Sequence, residues 1–186
     1  VIQDCILYTK KLRYHVTKDF RNNIINARIK SVQRRAKYIL INLDNLKTII
    51  IHLGMSGRIA IMSDNEDSEF KHTHLFIKFS NNLVLKFIDP RRFGSLTLIS
   101  TDKIGEHKFF NHLGLEPLLT TFDGIYLFDK CKGRKTSIKS IIMNQVIVVG
   151  VGNIYASEAL YSSSISPELR GIEITLKQCH LLSQSI

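Results

Sequence analysis

The stretch HTHLFIKFSNNLVLKFI, residues 72–88, decides the fold of the first half of the chain. From Leu75 to Phe79 every second side chain is apolar, and this period of two predicts a strand with one buried face. The pair Asn81-Asn82 then predicts a hairpin turn, because asparagine tolerates the left-handed backbone conformation that such turns need. The apolar run that follows completes an antiparallel hairpin.

Further strands are predicted on both sides of this hairpin. Two runs rich in β-branched residues, 38–43 and 48–53, flank a turn at Asp44-Asn45, and a run around residues 96–98 follows the hairpin. Short strands at this spacing, with turn signals between them, predict an antiparallel sandwich or barrel. The polar segment 63–69 is predicted to be a mobile loop.

The pattern changes after Gly114. Pro117 restricts the residue before it, so the LEPL segment is predicted to be a hinge, and the apolar spacing beyond it becomes helical. The predicted helices span residues 122–132, 138–145, 153–162 and 175–183. The sequence therefore predicts an α+β chain with a β domain at 1–114, a hinge at 115–119 and a truncated helical domain at 120–186.

The composition favours a polyanionic partner. There are 26 Lys and Arg against 16 Asp and Glu, a formal charge of +10, which suits nucleic acid better than a membrane surface. No apolar run approaches the roughly 20 residues that span a bilayer. The three cysteines, Cys5, Cys131 and Cys179, are far apart, so they indicate neither a zinc site nor a disulfide framework but a reducing compartment.

Two motifs at predicted strand ends could contact nucleic acid. The basic turn, residues 33–37, could hold a phosphodiester backbone, although by itself a solvated edge that deters strand pairing is the better interpretation. In the HLGMSG turn, residues 52–57, two glycines let backbone approach a ligand and project Met55 outward, where it could wedge into a base stack. The alternative is that Met55 packs into the core.

Two further motifs follow. The DPRRFG loop, residues 89–94, combines arginines for base-edge hydrogen bonds with an aromatic for stacking; the alternative is a surface loop with Phe93 buried, but Asp89 and Pro90 imply a fixed turn. In VVGVGNIYASE, residues 148–158, glycines before a helix could direct N–H groups at a phosphate, with Asn153 as N-cap and phosphate donor. Gly-x-Gly alone is a weak signal.

Taken together and in this order, these segments closely resemble the formamidopyrimidine-DNA glycosylases. The resemblance runs from about Leu12 to Glu168, and HLGMSG, DPRRFG and GVGNIYASE are specific to that family. DPRRFG and the methionine turn favour this branch over the related endonuclease VIII branch. The resemblance implies an N-terminal antiparallel β-sandwich, a hinge and a helix–two-turns–helix domain.

The resemblance also implies an activity. The family repairs damaged double-stranded DNA by flipping out oxidised purines such as 8-oxoguanine and formamidopyrimidines, excising them and cleaving the abasic site by β,δ-elimination. It implies a monomer in the bacterial cytoplasm, associated with the nucleoid and not with a membrane. The alternative is a catalytically silent relic that binds damaged DNA; a remoter one is an RNA-binding module, for which the aromatic sheet platform is lacking.

Roles for individual residues follow from the same resemblance. Met55 and Phe93 match intercalating positions, and Arg91 matches the arginine that hydrogen-bonds the orphaned cytosine. Lys37 matches the lysine that holds a phosphate and donates a proton in β-elimination. The remaining DNA-binding positions are His52, His72, Arg134, Lys139 and Asn153, with Lys139 near the lesion base.

The catalytic amine of the family is absent from the sequence. Its nucleophile is an N-terminal proline followed by a glutamate acid/base, whereas this chain opens on Val1 in a strand-like stretch. We therefore expect the central portion of such an enzyme, inactive by itself, with one zinc ion held by a four-cysteine finger beyond Ile186. Two smaller departures are Asn144-Gln145, where an acidic residue usually begins the pair, and Ser166, which replaces a common histidine.

Overall fold

A computed structural model describes residues 1–66 and 71–186, and the alternating hairpin lies at the centre of a sheet. The strands are β1 (Ile2–Leu7), β2 (Ile29–Arg35), β3 (Tyr38–Leu43), β4 (Lys47–His52), β5 (Arg58–Ser63), β6 (Thr73–Phe79), β7 (Leu83–Ile88) and β8 (Ser95–Ser100), with a short helix α1 (Phe20–Ile24). Among the described residues they form two four-stranded sheets, β1-β6-β7-β5 and β2-β3-β4-β8. Every pairing is antiparallel.

The two sheets share one apolar core, which makes this unit a sandwich. Ile49 and Ile51 of β4 and Leu75 and Ile77 of β6 are at most 1% exposed and belong to the same cluster. Burying each such side chain contributes about 1.5–3 kcal/mol. The predicted antiparallel β-sandwich is confirmed, and so is the asparagine turn of its hairpin, where Asn82 has a φ of 59°.

Part of the predicted polar loop at 63–69 has regular structure. Ser63 ends β5, and Asp64–Glu66 form a short 3₁₀ helix. Residues 67–69 lie outside the described residues.

The second unit is helical. Its helices are α2 (Gly124–Cys131), α3 (Ile138–Ile142), α4 (Asn153–Ser162) and α5 (Leu176–Ser185). Side-chain caps begin three of them: Asp123, Ser137 and Thr175 each accept a backbone N–H of the first turn. Their apolar faces enclose a separate core that includes Leu127 and Ile138. None of the described helices is long and apolar enough to cross a membrane.

Helix α3 is shorter than predicted, because Asn144 forms a turn after it. The Asn144 side chain accepts the N–H of Val146 at 3.0 Å, and its carbonyl accepts the N–H of Ile147 at 2.9 Å. An asparagine that bonds neighbouring backbone in this way competes with helix propagation. The helix therefore ends at Ile142 rather than near Gln145.

The boundary between the two compact units lies earlier in the chain than the predicted domain boundary. They are Val1–Gly105 and Glu106–Ile186, whereas the sequence placed the change after Gly114. Leu115, predicted to begin the hinge, bonds the second unit in both directions: its N–H donates to Ile147 O at 3.3 Å, and its carbonyl accepts from Val149 N at 2.9 Å. Residues 106–115 thus belong with the helices, while a hinge at 115–119 stays a prediction.

Candidate nucleic-acid interface

Antiparallel pairing brings two of the predicted motifs to one end of a sheet. Arg35 pairs with Tyr38, Tyr38 with His52, and His52 with Ser95 in the register of β2, β3, β4 and β8. The basic turn, the HLGMSG turn and the end of the DPRRFG loop therefore emerge side by side. Lys37, the predicted proton donor, is exposed in the basic turn.

The HLGMSG turn and the DPRRFG loop are stacked backbone against backbone. Gly54 has a φ of +66°, and a Cβ there would lie 2.6 Å from the carbonyl carbon of Phe93. A Cβ on Gly94 would lie 2.7 Å from the carbonyl oxygen of His52. Because no side chain fits at either position, glycine is required for this close approach.

The side chains at the tips of these two loops meet in solvent. Met55 is 77% exposed and Phe93 is 51% exposed, which excludes the alternative that either is buried. An Arg91 N–H donates to Met55 Sδ at 2.8 Å, and its guanidinium carbon lies 4.9 Å from the centre of the Phe93 ring. We call Met55, Arg91 and Phe93 the exposed trio.

The surroundings of His52 favour the neutral form of its ring, in which Nδ1 accepts a hydrogen bond and Nε2 is a donor. Its Nδ1 accepts the N–H of Gly54 at 2.9 Å, so the neutral ring carries its proton on Nε2. Burial, with the positive charges of Arg13 and Lys37, lowers the pKa of His52. The His52 ring also lies beside the ring of Tyr38, with the two centres 4.9 Å apart.

Arg13 is a candidate site residue that the sequence analysis missed. Its N–H donates to Gly94 O at 3.0 Å, and its guanidinium carbon lies 5.6 Å from the centre of the Tyr14 ring. The side chain is exposed, and no carboxylate in the described part of the chain forms an ion pair with it. The sequence signal was an arginine beside an aromatic, in a segment that showed no periodicity.

His72 lies beside the DPRRFG loop. It has a φ of 68° and is exposed, and its carbonyl accepts the N–H of Asp89 at 3.1 Å. The ring of His74 is buried and lies 2.8 Å, through Nε2, from the Asp89 carbonyl oxygen. The start of β6 is therefore tied to this loop, with the His72 ring left at the surface.

The other predicted DNA-binding residues lie in the second unit. Lys139 Nζ donates to Ser157 Oγ at 3.1 Å and so links α3 with α4, whereas the exposed Arg134 donates from Nε to Lys130 O at 2.6 Å. The prediction that Asn153 is an N-cap is wrong. Gly152, with extended backbone, holds that position, and Asn153 is already the first residue of α4.

The cysteines do not form a metal site. In residues 1–66 and 71–186, no group of three or more His, Cys, Asp or Glu is placed to hold a metal ion. Cys131 and Cys179 lie in the helical core, where their mutual hydrogen bond and burial raise the pKa of Cys179. The residues of this chain therefore do not fit the zinc that the resemblance implies.

Fold and site together define an α+β protein in which a β-sandwich with exposed loop tips precedes a helical unit. The chain belongs to the formamidopyrimidine-DNA glycosylase family. Residues 1–96 match the N-terminal domain of that family, and residues 113–186 match its H2TH domain. The resemblance and the fold class predicted from the sequence are thereby confirmed.

Named relatives agree with this membership. A formamidopyrimidine-DNA glycosylase from Wolbachia pipientis subsp. Culex pipiens is 43% identical over 175 residues, which is 94% of this chain and 64% of the relative. One from Cronobacter sakazakii is 42% identical over 185 residues, covering 100% of this chain and 67% of the relative. The chain thus spans about two thirds of the length of the curated relatives that it matches.

Solved structures show the same fold. The Lactococcus lactis glycosylase bound non-covalently to DNA with an AP site has a TM-score of 0.89 at 28% identity, covering 99% of this chain and 70% of that one. The complex of the L. lactis enzyme with DNA containing FAPY-dG has a TM-score of 0.90 at 28% identity, with 99% and 69% covered.

Proposed function

We propose that this protein acts in base-excision repair: it binds damaged double-stranded DNA, excises oxidised purines such as 8-oxoguanine and formamidopyrimidines, and cleaves the abasic site by β,δ-elimination. The observation that carries the proposal is the exposed trio, held in contact on two stacked loops of a basic chain. The names of the relatives and the DNA in the solved neighbours support it.

The exposed trio has the chemistry needed to replace a flipped base. Extruding a nucleotide costs a few kcal/mol of stacking and pairing, and an apolar wedge in the vacated space offsets part of that cost. Met55 and Phe93 provide the apolar surface. Arg91 adds a planar set of donors, which matches the acceptors on the exposed edge of the orphaned cytosine.

The basic residues around the exposed trio would hold the phosphate backbone. Lys37 and Arg13 supply charge, and neutral His52 supplies an Nε2–H donor without the cost of a buried charge. In the second unit we assign phosphate contacts to Arg134 and Asn153, and we assign Lys139 to the neighbourhood of the lesion base. His72 is proposed as a further backbone contact.

The chemical step requires a group that these 186 residues do not supply. In the proposed mechanism a secondary amine attacks the sugar C1′, the base leaves, and the resulting imine permits β-elimination, with Lys37 as a proton donor. Pro90, Pro117 and Pro167 are internal, so none has a free amine. We therefore assign the chemistry to the native gene product, working as a monomer on DNA at the bacterial nucleoid, with zinc as the family metal.

Borohydride trapping of the native gene product tests this proposal. The substrate is a duplex with 8-oxoguanine opposite cytosine, and undamaged duplex is the control. A reduced covalent protein–DNA adduct that forms with the lesion alone is the expected result. Lesion-selective binding without any adduct would instead support the second candidate, a catalytically silent protein that binds damaged DNA.

A further inference from the structure

A single buried carboxylate joins the two loops that carry the exposed trio. Asp89 is fully buried. Ser56 Oγ donates to its Oδ1 at 2.6 Å, and the N–H of Gly94 donates to its Oδ2 at 2.7 Å. One oxygen thus bonds the HLGMSG turn, and the other bonds the far end of the DPRRFG loop.

The backbone of the loop is tied to the same centre. Ser56 Oγ also accepts the N–H of Arg91 at 3.3 Å, and the carbonyl of Asp89 accepts the N–H of Arg92 at 3.2 Å. The Nε2 of buried His74 also lies 2.8 Å from this carbonyl oxygen. Ser56 therefore links the carboxylate of Asp89 to the start of the loop tip as well as to the turn.

These bonds reach each member of the exposed trio through an immediate neighbour or its own backbone. Ser56 follows Met55, Gly94 follows Phe93, and Arg91 donates its own N–H. The trio's side chains lie in solvent, so apolar packing does not fix their positions. A buried carboxylate that accepts two short hydrogen bonds is costly to leave unsatisfied and resists displacement.

We propose that Asp89 is a positioning residue that holds the exposed trio, through Ser56 and Gly94, in the arrangement that enters the base stack. The inference rests on the proposed function. Prior ordering of the two loops removes part of the entropy cost of inserting them. The hydrogen bonds from Ser56 and Gly94 to Asp89 position the exposed trio for insertion at the lesion. Phosphate contacts made by the rest of the surface do not depend on these bonds.

Substitutions at Ser56 test the role of its hydrogen bond to Asp89 with little disturbance of the fold. Ser56→Ala removes the hydroxyl and leaves the bond from Gly94 to Asp89, whereas Ser56→Thr keeps a hydroxyl. Thr48→Val is the matched control, because Thr48 is a buried hydroxyl residue in the same unit whose partners are Asn42 and Thr101. Each variant is made in the native gene product.

The readout is the fluorescence of 2-aminopurine placed next to an abasic-site analogue, together with affinities for that duplex and for undamaged duplex. Ser56→Ala is expected to lower the unstacking signal and to reduce the affinity ratio by about tenfold. The affinity of Ser56→Ala for undamaged duplex should not change. Ser56→Thr should keep the wild-type affinity ratio, and Thr48→Val should resemble the wild type in both measurements. In a Met55→Ala, Arg91→Ala background, Ser56→Ala should have no further effect, because it acts through the exposed trio.

An unchanged signal and ratio in Ser56→Ala, with lesion preference intact in the wild type, would overturn this inference and leave the proposed function standing. A wild-type protein without lesion preference or unstacking signal would overturn the proposed function, and the inference with it.

Discussion

We propose that the side chain of Arg91 distinguishes the base opposite the lesion. Its guanidinium is exposed between Met55 and Phe93, and a well-placed arginine contributes about 1–3 kcal/mol of base discrimination. We expect Arg91→Ala to reduce the preference for cytosine over adenine opposite an abasic-site analogue by about tenfold. Fluorescence anisotropy with the two duplexes measures this preference.

Arg92→Asn is the control for that substitution. Arg92 lies in the same loop with a φ of 57°, a conformation that asparagine tolerates, so the variant removes an equal charge without backbone strain. Equal loss of cytosine preference in both variants would show that the preference depends on positive charge and not on the planar donor geometry of the Arg91 guanidinium.

His52 makes the stability of the fold sensitive to acid. Burial and the charges of Arg13 and Lys37 hold the pKa of His52 below the ordinary histidine value of 6.5. Near and below pH 6.5 the unfolded chain therefore binds more protons than the folded one, and stability falls as pH drops through the lowered pKa. Protonation also costs the bond from Gly54 N–H to Nδ1.

We expect His52→Gln to lose less thermal stability than the wild type between pH 7.5 and 5.5. Scanning calorimetry at several pH values measures the difference. The pKa of His107 is also lowered by burial and by Lys108. Because His107 is present in both proteins, its contribution to the pH dependence of stability cancels in the comparison. Parallel pH profiles of the two proteins would contradict the role assigned to His52.

At the scale of elements, the stacking of the two loops depends on Gly54. We expect Gly54→Ala to destabilise the protein by about 1–3 kcal/mol, because left-handed backbone is strained in alanine and its methyl group would meet the backbone of Phe93. Gly105→Ala is the matched control, since a Cβ there meets no atom within 4 Å and the φ is not left-handed. It should change stability by no more than about 0.5 kcal/mol.

Urea denaturation compares these two glycine variants. The midpoint should fall in Gly54→Ala and stay near the wild-type value in Gly105→Ala. Coincident curves for all three proteins would show that the loops are not stacked as described.

At the scale of the whole molecule, the excess of 26 basic over 16 acidic residues predicts DNA binding that weakens steeply with salt. Each phosphate contact releases counterions, so losing one lowers the slope of log affinity against log salt by about one. We expect this change in Lys37→Gln. Titrations of undamaged duplex at several salt concentrations give the slope.

Lys78→Gln is the control for the salt experiment, because it removes the same charge. Lys78 Nζ lies 2.6 Å from Asp64 Oδ2 in an ion pair, so its charge is already balanced. The wild-type slope should persist in this variant. A similar decrease in both lysine variants would indicate an effect of net charge rather than a phosphate contact at Lys37.

The sequence identified the central strands better than the edge strands. The strands predicted with explicit bounds correspond to β3, β4, β6 and β7, which are central in their sheets, whereas β5, which was not predicted, lies at an edge. A central strand buries apolar side chains and shows a clear pattern. An edge strand such as β5 is only partly buried, so its sequence pattern is weaker.

The sequence by itself determined the alternating hairpin, the helical second half, the positions of the loop motifs and the family. These depend on local periodicity and on short motifs, which are readable along the chain. Only the tertiary structure brought Arg13 to the DPRRFG loop and joined Ser56 to Asp89 across 33 positions. Such contacts depend on strand register and loop stacking, and a period of two specifies which face is buried but not which distant residue lies opposite.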